Sequence, residues 1–483
     1  MPSLKQKTLS GLSWSFADNF ASQGIAFVVQ VILARLIDPE EFGVVTMIAI
    51  FIALSITFID SGFGQALIRK KNCTQADYST VFFFNLAIGI VLYILLYFSA
   101  PLVADFFNEP RVSSILRVAG LVLIINAASV IQLTLLIKNI DFKTKTKISL
   151  SAELLSGGIA IAMAFRGFGI WSLVARSVLV PLFTAVFIWL SGKWHPAWVF
   201  SIKSFRELFG FGYKLLLSSL LNAASRNIYS LIIGKFFSAT TLGFYGRAEQ
   251  FNNIFSSTLT TNIQRVSYPV LASIQDDPEK LKKGYRKLIK STMMVTFSLM
   301  LGLAAVAEPL ITILIKEQWL PCVPYLQLMC FASMLYPLHA MNLNAITVKG
   351  RSDLFLKLEI IKQIVDIPLI LIGIFLGVEA LLIGAIVMSF ACFFLNSYYS
   401  ANLIHYSTRE QLWDILPLLM VAGVVSALVW GVTFLHMGNW VTLMIQVTVG
   451  AGLTVGIYEV MKQPDYKEMK QIVLQTIARF GKS

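Results

Sequence analysis

The amino-acid sequence predicts an all-α polytopic membrane protein with about 14 transmembrane helices. Three observations support this class: 57% of the 483 residues are hydrophobic, only 13% are charged, and the mean hydropathy is +0.73. A helix needs roughly 20 mostly apolar residues to cross the hydrocarbon of a bilayer, and such stretches recur along the chain. This composition excludes a soluble enzyme, a disordered chain and a secreted disulfide scaffold.

Charged or Gly/Pro-rich connectors separate the apolar stretches and set the predicted ends of each span. The predicted spans, in order, are residues 10–34, 42–66, 79–104, 114–136, 148–165, 169–191, 209–234, 241–268, 288–315, 322–347, 356–376, 379–402, 413–435 and 440–461.

The distribution of charge supports this placement. Lys and Arg number 39 against 26 Asp and Glu, which gives a net charge of +13. With the N-terminus inside, the basic residues are about four times as frequent in the inner connectors as in the outer ones, as the positive-inside rule requires. An even number of spans with both termini cytoplasmic is therefore predicted, and twelve is the alternative count. The outer connectors are short, so the function is expected inside the membrane.

An internal repeat divides the chain into two predicted halves. Residues 33–43, LARLIDPEEFG, align with residues 233–243, IGKFFSATTLG, at an offset of 200, and both segments join the end of one span to the next. Two six-helix lobes in parallel repeat around a central cavity are expected, plus two extra helices. The predicted domains are the N-terminal lobe 1–200, the C-terminal lobe 201–408, the extra helices 409–462 and a cytoplasmic amphipathic tail 463–483.

The tail carries apolar residues at helical spacing, which suits a helix lying on the inner leaflet. A helix that binds a protein partner is the alternative interpretation. The residues of this stripe are Met469, Ile472, Val473, Ile477 and Phe480.

Polar stripes on two corresponding spans point to the cavity. Asn19, Gln23 and Gln30 share one face of span 1. On span 7, one face carries Ser219, Asn222, Arg226 and Ser230. Under the offset of 200, Asn19 aligns with Ser219, Ser22 with Asn222 and Gln30 with Ser230. Two helices that line one cavity would show this coincidence, and polar contacts between helices are the alternative explanation.

Span 8 is unusually polar for a membrane helix. The segment RAEQFNNIFSSTLTTNIQR is mostly polar or charged, and unpaired polar groups in hydrocarbon cost several kcal/mol each. The segment is therefore predicted to be a helix that lines water, with a loop as the alternative. Its candidate cavity residues are Arg247, Gln250, Asn253, Gln264 and Arg265.

Arg176 on span 6 joins these arginines and Arg226 as a candidate ligand for an anion, since guanidinium groups bind phosphate bidentately. A salt bridge or snorkelling toward headgroups is the alternative for each of them. Asp18 and Asp366 are candidates for binding a coupling Na⁺ or proton. Alternatively, Asp366 forms a simple ion pair with Lys362, four residues earlier on span 11.

Other site chemistry is not expected. The four cysteines are scattered without metal-ligand or redox spacing, the four histidines lie far apart, and no catalytic triad or phosphate-cradling loop is visible. No metal, cofactor or nucleic-acid partner is predicted, and the chain is not expected to be an enzyme. Transport would have to use an ion gradient, the membrane potential or the substrate gradient.

Five segments carry a resemblance to a known family. They are SGLSWS near the start, LARLIDPEEFGVV, IDSGFGQALIRKK, RVSYPVLASIQDDPEKLKKGYRKLIK from Arg265 to Lys290, and EQWLPCVPYLQLMC. Together they resemble the Wzx-type lipid-linked oligosaccharide flippases, most closely the colanic-acid and teichuronic-acid branch. The resemblance extends over essentially the whole chain.

This resemblance implies the multidrug/oligosaccharidyl-lipid/polysaccharide exporter fold, in which two six-helix lobes form a V. It implies that an undecaprenyl-diphosphate-linked repeat unit moves from the inner to the outer leaflet of the bacterial cytoplasmic membrane, with the diphosphate among cavity arginines. Membrane lipids and the polysaccharide polymerase or assembly machinery are the expected partners.

Three other functions compete with the flippase. A cation-coupled drug or solute exporter is less favoured because a cationic cavity repels cationic drugs. A polysaccharide polymerase or ligase usually needs a sizeable outer loop, which this chain lacks. A scaffold protein would not need the polar stripes.

Overall fold

The computed structural model describes residues 4–471, except residues 61, 193, 350, 464 and 469. Some side chains within helices are also outside the described part, including those of Asn19, Gln264 and Arg265. Every regular element in the described residues is helical, and none of those residues forms a strand. The all-α class predicted from composition is confirmed.

The α-helices, in chain order, are α1 (Leu4–Leu36), α2 (Pro39–Asp60), α3 (Phe63–Arg69), α4 (Gln75–Phe107), α5 (Arg111–Ala119), α6 (Leu121–Lys138), α7 (Phe142–Phe165), α8 (Ile170–Ser191), α9 (Ile202–Phe236), α10 (Ala239–Ser273), α11 (Pro278–Ala305), α12 (Ala307–Ile315), α13 (Cys322–Ser333), α14 (Tyr336–Val348), α15 (Ser352–Leu376), α16 (Val378–Ile404), α17 (Thr408–Gly431) and α18 (Asn439–Val460).

Each predicted span lies on one of these helices or on two consecutive ones. In the described residues, nine helical segments are long and apolar enough to cross a membrane, judged by length and composition. Among the helices of 18 or more residues, α1, α9, α10 and α15 are outside that set, and Phe20–Leu36 is a shorter apolar segment in the described part of α1. The polar segment predicted for span 8 is helical over its whole length, so the loop alternative is wrong.

Side-chain caps explain where several helices begin. Thr74 accepts a hydrogen bond from the backbone N–H of Asp77, whose side chain accepts one in return from the Thr74 N–H, so α4 starts with a capping box. Asp141 accepts from the N–H of Thr144 at the start of α7. Ser407 and Glu410 form a second capping box at α17. These capping residues lie at the ends of connectors, so the starts of these helices can be recognised in the sequence.

The chain divides into two compact units, Met1–Gly246 and Arg247–Ser483. In the first unit, α7 packs between α1 and α8, α6 packs against α4 and α8, and α9 packs against α2 and α4. The predicted division into lobes and extra helices stays a prediction. The residues of the amphipathic tail stripe, Met469, Ile472, Val473, Ile477 and Phe480, lie outside the described residues.

In the second unit, α16 packs against α13, α14 and α15, while α11 packs against α17, which in turn contacts α18. A buried polar network joins four of these helices. The Asn342 side chain accepts from the Ser400 hydroxyl at 2.7 Å and donates to the Gln411 side-chain oxygen at 3.1 Å. The Tyr285 hydroxyl also donates to Asn342, at 3.4 Å. All four residues have no exposed surface, so the network specifies how α11, α14, α16 and α17 pack.

The repeat offset of 200 is confirmed at the helix ends. Helix α1 ends at Leu36 and α9 at Phe236, and the next helices begin at Pro39 and Ala239. Inside the first unit, the first turns of α2 and α10 cross so closely that backbone atoms of one helix contact backbone atoms of the other. A Cβ atom added to Gly43 would lie 1.7 Å from the Ala239 carbonyl oxygen, and one added to Gly243 would lie 1.9 Å from the Pro39 carbonyl oxygen. Only glycine at both positions permits this reciprocal contact.

Candidate functional site

A polar cavity of about 260 Å³ lies in the first unit between α1, α7 and α8. Each helix presents one face to it, because the lining residues recur at a spacing of four along each helix, with Gln23 next to Ser22 on α1. The lining residues are Asp18, Ser22, Gln23, Lys145, Ser149, Glu153, Val180 and Thr184. Seven of these eight side chains are polar or charged, in a unit whose helices are otherwise rich in apolar residues. The cavity is therefore the leading candidate for a functional site in this unit.

Asp18 is the most buried charged group of the cavity. The residue is 6% exposed, and its carboxylate Oδ2 lies 2.5 Å from the ammonium Nζ of Lys145. Its other oxygen accepts a hydrogen bond from the Ser22 hydroxyl at 3.3 Å. A carboxylate inside a membrane protein is costly without a nearby positive charge, and the lysine of α7 supplies that charge.

A second ion pair lies further along α7. The guanidinium Nη2 of Arg176 on α8 lies 3.0 Å from the Glu153 carboxylate, and both side chains are mostly buried. The Nε atom of Arg176 is buried and has no hydrogen-bond partner among the described residues. Each pair contains one acid and one base, so the cavity is balanced in charge rather than strongly cationic. An anion at Arg176 would have to compete with Glu153, and the predicted role of this arginine in binding an anion stays a prediction.

The structure brings some of the predicted stripe of α1 to this cavity. Gln23 lines it directly. Gln30 lies two turns further along α1 and is partly buried. The side chain of Asn19 is outside the described residues. The stripe therefore faces α7 and α8 within one unit, at least at Asp18, Ser22 and Gln23.

On α9 the predicted polar face is open. Asn222 and Arg226 are both exposed, and the Asn222 amide donates to the backbone oxygen of Ser218 at 2.9 Å. Among the described residues no ion pair forms to Arg226. Of the predicted arginines whose side chains are described, Arg226 is thus the one whose guanidinium is exposed.

On α10 the predicted residues differ in environment. Arg247 is 5% exposed, donates to the side-chain oxygen of Gln250, and places its guanidinium carbon 5.4 Å from the centre of the buried Trp319 ring. Asn253 is exposed. The side chains of Gln264 and Arg265 are outside the described residues. The cation–π contact holds Arg247 within the second unit, and its predicted contact with a substrate is untested.

The acidic candidate Asp366 lies on α15, four residues after Lys362. Lys362 pairs with Glu359 at 2.7 Å, one turn before it on the same helix. Asp366 is partly buried and also has an interaction partner. In the described residues, no group of three or more His, Cys, Asp or Glu side chains is arranged to hold a metal ion.

Two charged residues of the cavity, Lys145 and Glu153, are not among the site residues predicted from the sequence. The sequence does carry a signal for them: Lys145, Ser149 and Glu153 are spaced by four residues, which places them on one helix face. The predicted start of span 5 at residue 148 leaves Lys145 outside the span, whereas α7 begins at Phe142.

The helical fold and the charge-paired polar cavity define a multi-pass membrane protein of the transport class. The chain belongs to the family described as polysaccharide biosynthesis protein, whose model matches residues 32–324, more than half of the chain. The family predicted from the sequence segments is thereby confirmed. A transport protein, a flippase and a transporter are among its named relatives and structural neighbours, which supports a transporter and not an enzyme.

The similarity to curated relatives extends over most of the chain. The teichuronic acid biosynthesis protein TuaB of Bacillus subtilis is 28% identical over 356 residues, which cover 73% of this chain and 74% of TuaB. The lipopolysaccharide biosynthesis protein WzxC of Escherichia coli is 28% identical over 377 residues, covering 77% of this chain and 76% of WzxC. The succinoglycan biosynthesis transport protein ExoT of Rhizobium meliloti is 26% identical, covering 68% of this chain and 67% of ExoT. These relatives indicate a multi-pass protein of the bacterial inner membrane.

Two solved structures share the fold. The lipid II flippase MurJ in an inward closed conformation matches with a TM-score of 0.69 at 14% identity, covering 94% of this chain and all of that one. An inward-facing multidrug resistance transporter of the MATE family matches with a TM-score of 0.63 at 15% identity, covering 80% of this chain and 96% of that one. At these identities the likeness establishes the fold alone.

Proposed function

We propose that this chain moves an undecaprenyl-diphosphate-linked oligosaccharide repeat unit from the inner to the outer leaflet of the cytoplasmic membrane, for assembly of a surface polysaccharide. The observation that carries the proposal is the polar cavity lined by Asp18, Gln23, Lys145 and Glu153 within an otherwise apolar helical unit. Such a cavity suits a hydroxyl-rich headgroup, because it offers hydroxyl, amide and charged groups to a ligand that must leave water. The names of TuaB, WzxC and ExoT, all concerned with polysaccharides, support the same class of substrate.

The diphosphate is assigned to the open polar face of α9. Arg226 is exposed and its guanidinium can bind phosphate oxygens bidentately, whereas Arg176 is paired with Glu153 and Arg247 is buried against Trp319. Asn222, one turn before Arg226 on the same helix, belongs to the same proposed surface. Gln250, Asn253, Gln264 and Arg265 stay predicted substrate-binding residues. Transport proceeds by alternating access, with both termini in the cytoplasm, and the product is delivered to a polysaccharide polymerase.

Arg226→Ala is expected to reduce export of the polysaccharide at least tenfold, because about 1.4 kcal/mol of lost phosphate binding already corresponds to a factor of 10. The yield of folded protein should be unchanged, since Arg226 is exposed and has no ion pair among the described residues. Export is measured as surface polysaccharide in cells that carry the variant as their only copy.

Two matched variants on the same helix control this experiment. Arg226→Lys keeps the charge but loses the bidentate geometry, so an intermediate level of export is expected. Leu221→Ala alters an exposed apolar side chain and should export normally. Normal export by Arg226→Ala would remove this arginine from the proposed site.

The proposed function itself is tested by mass spectrometry of undecaprenyl-linked intermediates in cells depleted of the protein. Accumulation of one complete repeat unit on the inner leaflet supports the flippase and identifies its sugars. Altered drug tolerance without accumulation would indicate the exporter instead. Accumulation of a repeat unit that already faces outward would indicate a polymerase or ligase.

A further inference from the structure

The Asp18 carboxylate is buried in the first unit and its negative charge must be balanced there. Its residue is 6% exposed, and it lies near the middle of α1, a helix of 33 residues. Removing a carboxylate from water costs several kcal/mol unless a positive charge lies beside it. The negative charge is removed by a proton on the carboxylate, or balanced by the positive charge of a free cation or of another side chain.

Here the charge is supplied by a side chain. The Lys145 ammonium lies 2.5 Å from Asp18 Oδ2, and the two residues are 127 positions apart in sequence, on α1 and α7. The lysine side chain is 29% exposed and lines the cavity together with Asp18. The ammonium thus sits at the cavity wall, where it balances the carboxylate.

The cavity that holds this ammonium is lined by side chains with oxygen atoms. Ser22 and Ser149 offer hydroxyl oxygens, Gln23 offers an amide oxygen and Asp18 offers carboxylate oxygens, whereas Glu153 lies two turns from Lys145 on α7 and is paired with Arg176. Hard cations bind such oxygen ligands. The Ser22 hydroxyl already donates to Asp18 Oδ1, at 3.3 Å.

We propose that the Lys145 ammonium permanently occupies an alkali-cation site in the first unit, as a cation tethered to the chain. A free Na⁺ therefore cannot bind at Asp18 while Lys145 is present. For the same reason, this carboxylate does not couple transport to a Na⁺ gradient. Removal of the ammonium leaves a buried carboxylate among oxygen ligands, which converts the cavity into a site for free Na⁺. This inference goes beyond the proposed function and does not depend on which substrate is moved.

An ordinary structural salt bridge predicts a different outcome. If the cavity cannot hold a free cation, removal of Lys145 destabilises the protein equally in every salt, because the carboxylate stays unbalanced. The tethered-cation proposal predicts instead that Na⁺ restores the lost stability of the folded protein. A ligand that binds only the folded state stabilises it in proportion to ln(1 + [L]/Kd).

The experiment measures the unfolding temperature of the purified full-length protein in detergent while NaCl replaces choline chloride at constant ionic strength. The unfolding temperature of the wild type is expected to be the same in both salts. Lys145→Gln is expected to gain a saturable rise in unfolding temperature with Na⁺. Lys147→Gln, an exposed lysine on the same helix that does not line the cavity, should behave as the wild type.

A double variant tests the role of the carboxylate. Lys145→Gln combined with Asp18→Asn should lose the gained response to Na⁺, because no buried charge remains to attract the ion. Saturable stabilisation of the wild type by Na⁺ would overturn the proposal, as would a folded Lys145→Gln variant that does not respond. A variant that cannot be recovered in any alkali chloride would also contradict it, since the free cation then fails to replace the ammonium. These unfolding measurements do not test polysaccharide flipping, which the lipid-intermediate experiment tests separately.

Discussion

Gly43→Ala and Gly243→Ala are each expected to lower the yield of folded protein sharply. An added Cβ atom would lie 1.7 Å from the Ala239 carbonyl oxygen or 1.9 Å from the Pro39 carbonyl oxygen, respectively. Both obstacles are backbone atoms at the first residue of a helix, so no side chain can turn away to make room. The first turns of α2 and α10 would have to separate, at a cost of about 3 kcal/mol or more, the upper end of the range for overpacking.

The measurement is the unfolding temperature and the monodisperse fraction of each variant on size-exclusion chromatography. Gly158→Ala is the matched control, because Gly158 also lies inside a membrane helix, α7, and nothing lies within 4 Å of its added Cβ atom. Helix propensity predicts that this control is as stable as the wild type or slightly more stable, by about 0.5–1 kcal/mol. Wild-type stability in Gly43→Ala would show that the reciprocal glycine contact is not required.

Asn342→Ala is expected to destabilise the second unit by about 2–5 kcal/mol, because several buried polar groups lose their partner at once. The Ser400 hydroxyl and the Gln411 side-chain oxygen are fully buried and both bond to Asn342. Tyr285 loses a weaker contact at 3.4 Å. Thermal unfolding of the purified variant measures this loss.

Asn344→Ala is the control for this prediction. It is two residues away on α14, it is only partly buried, and its side-chain amide donates a single long bond of 3.3 Å to Ser267. A loss of about 1 kcal/mol or less is expected there. Equal losses in the two variants would mean that the four-residue network contributes no more than one ordinary hydrogen bond.

The helical fold was predictable because it depends on local properties of the chain. Stretches such as 75–107 are apolar enough to form membrane helices, and capping residues such as Thr74 and Asp141 mark where helices begin. The offset of 200 between the α1–α2 and α9–α10 connections was also visible in the sequence and agrees with the helix ends at Leu36 and Phe236.

Where a helix extends beyond its apolar stretch, its end was predicted less well, and a residue of the cavity was missed for this reason. The first turns of α7 contain three lysines, so hydropathy places the start of the span after them, at residue 148. A helix continues past the hydrocarbon wherever its hydrogen bonds are satisfied, and long lysine side chains are compatible with that position. Lys145 therefore lies outside the predicted span, although it is the partner of Asp18.

The class of protein, most of its helices, its family and the helix faces that carry polar residues were predictable from the amino-acid sequence alone. Which faces meet was visible only once the helices were packed: Asp18 pairs with Lys145 across 127 residues, Arg176 with Glu153 across 23, and Gly43 lies against Gly243. Helical spacing defines a face by rotation about one axis, which is a local property. The neighbour of that face depends on how several helices pack, and a buried charge takes as its partner the opposite charge that this packing brings within reach.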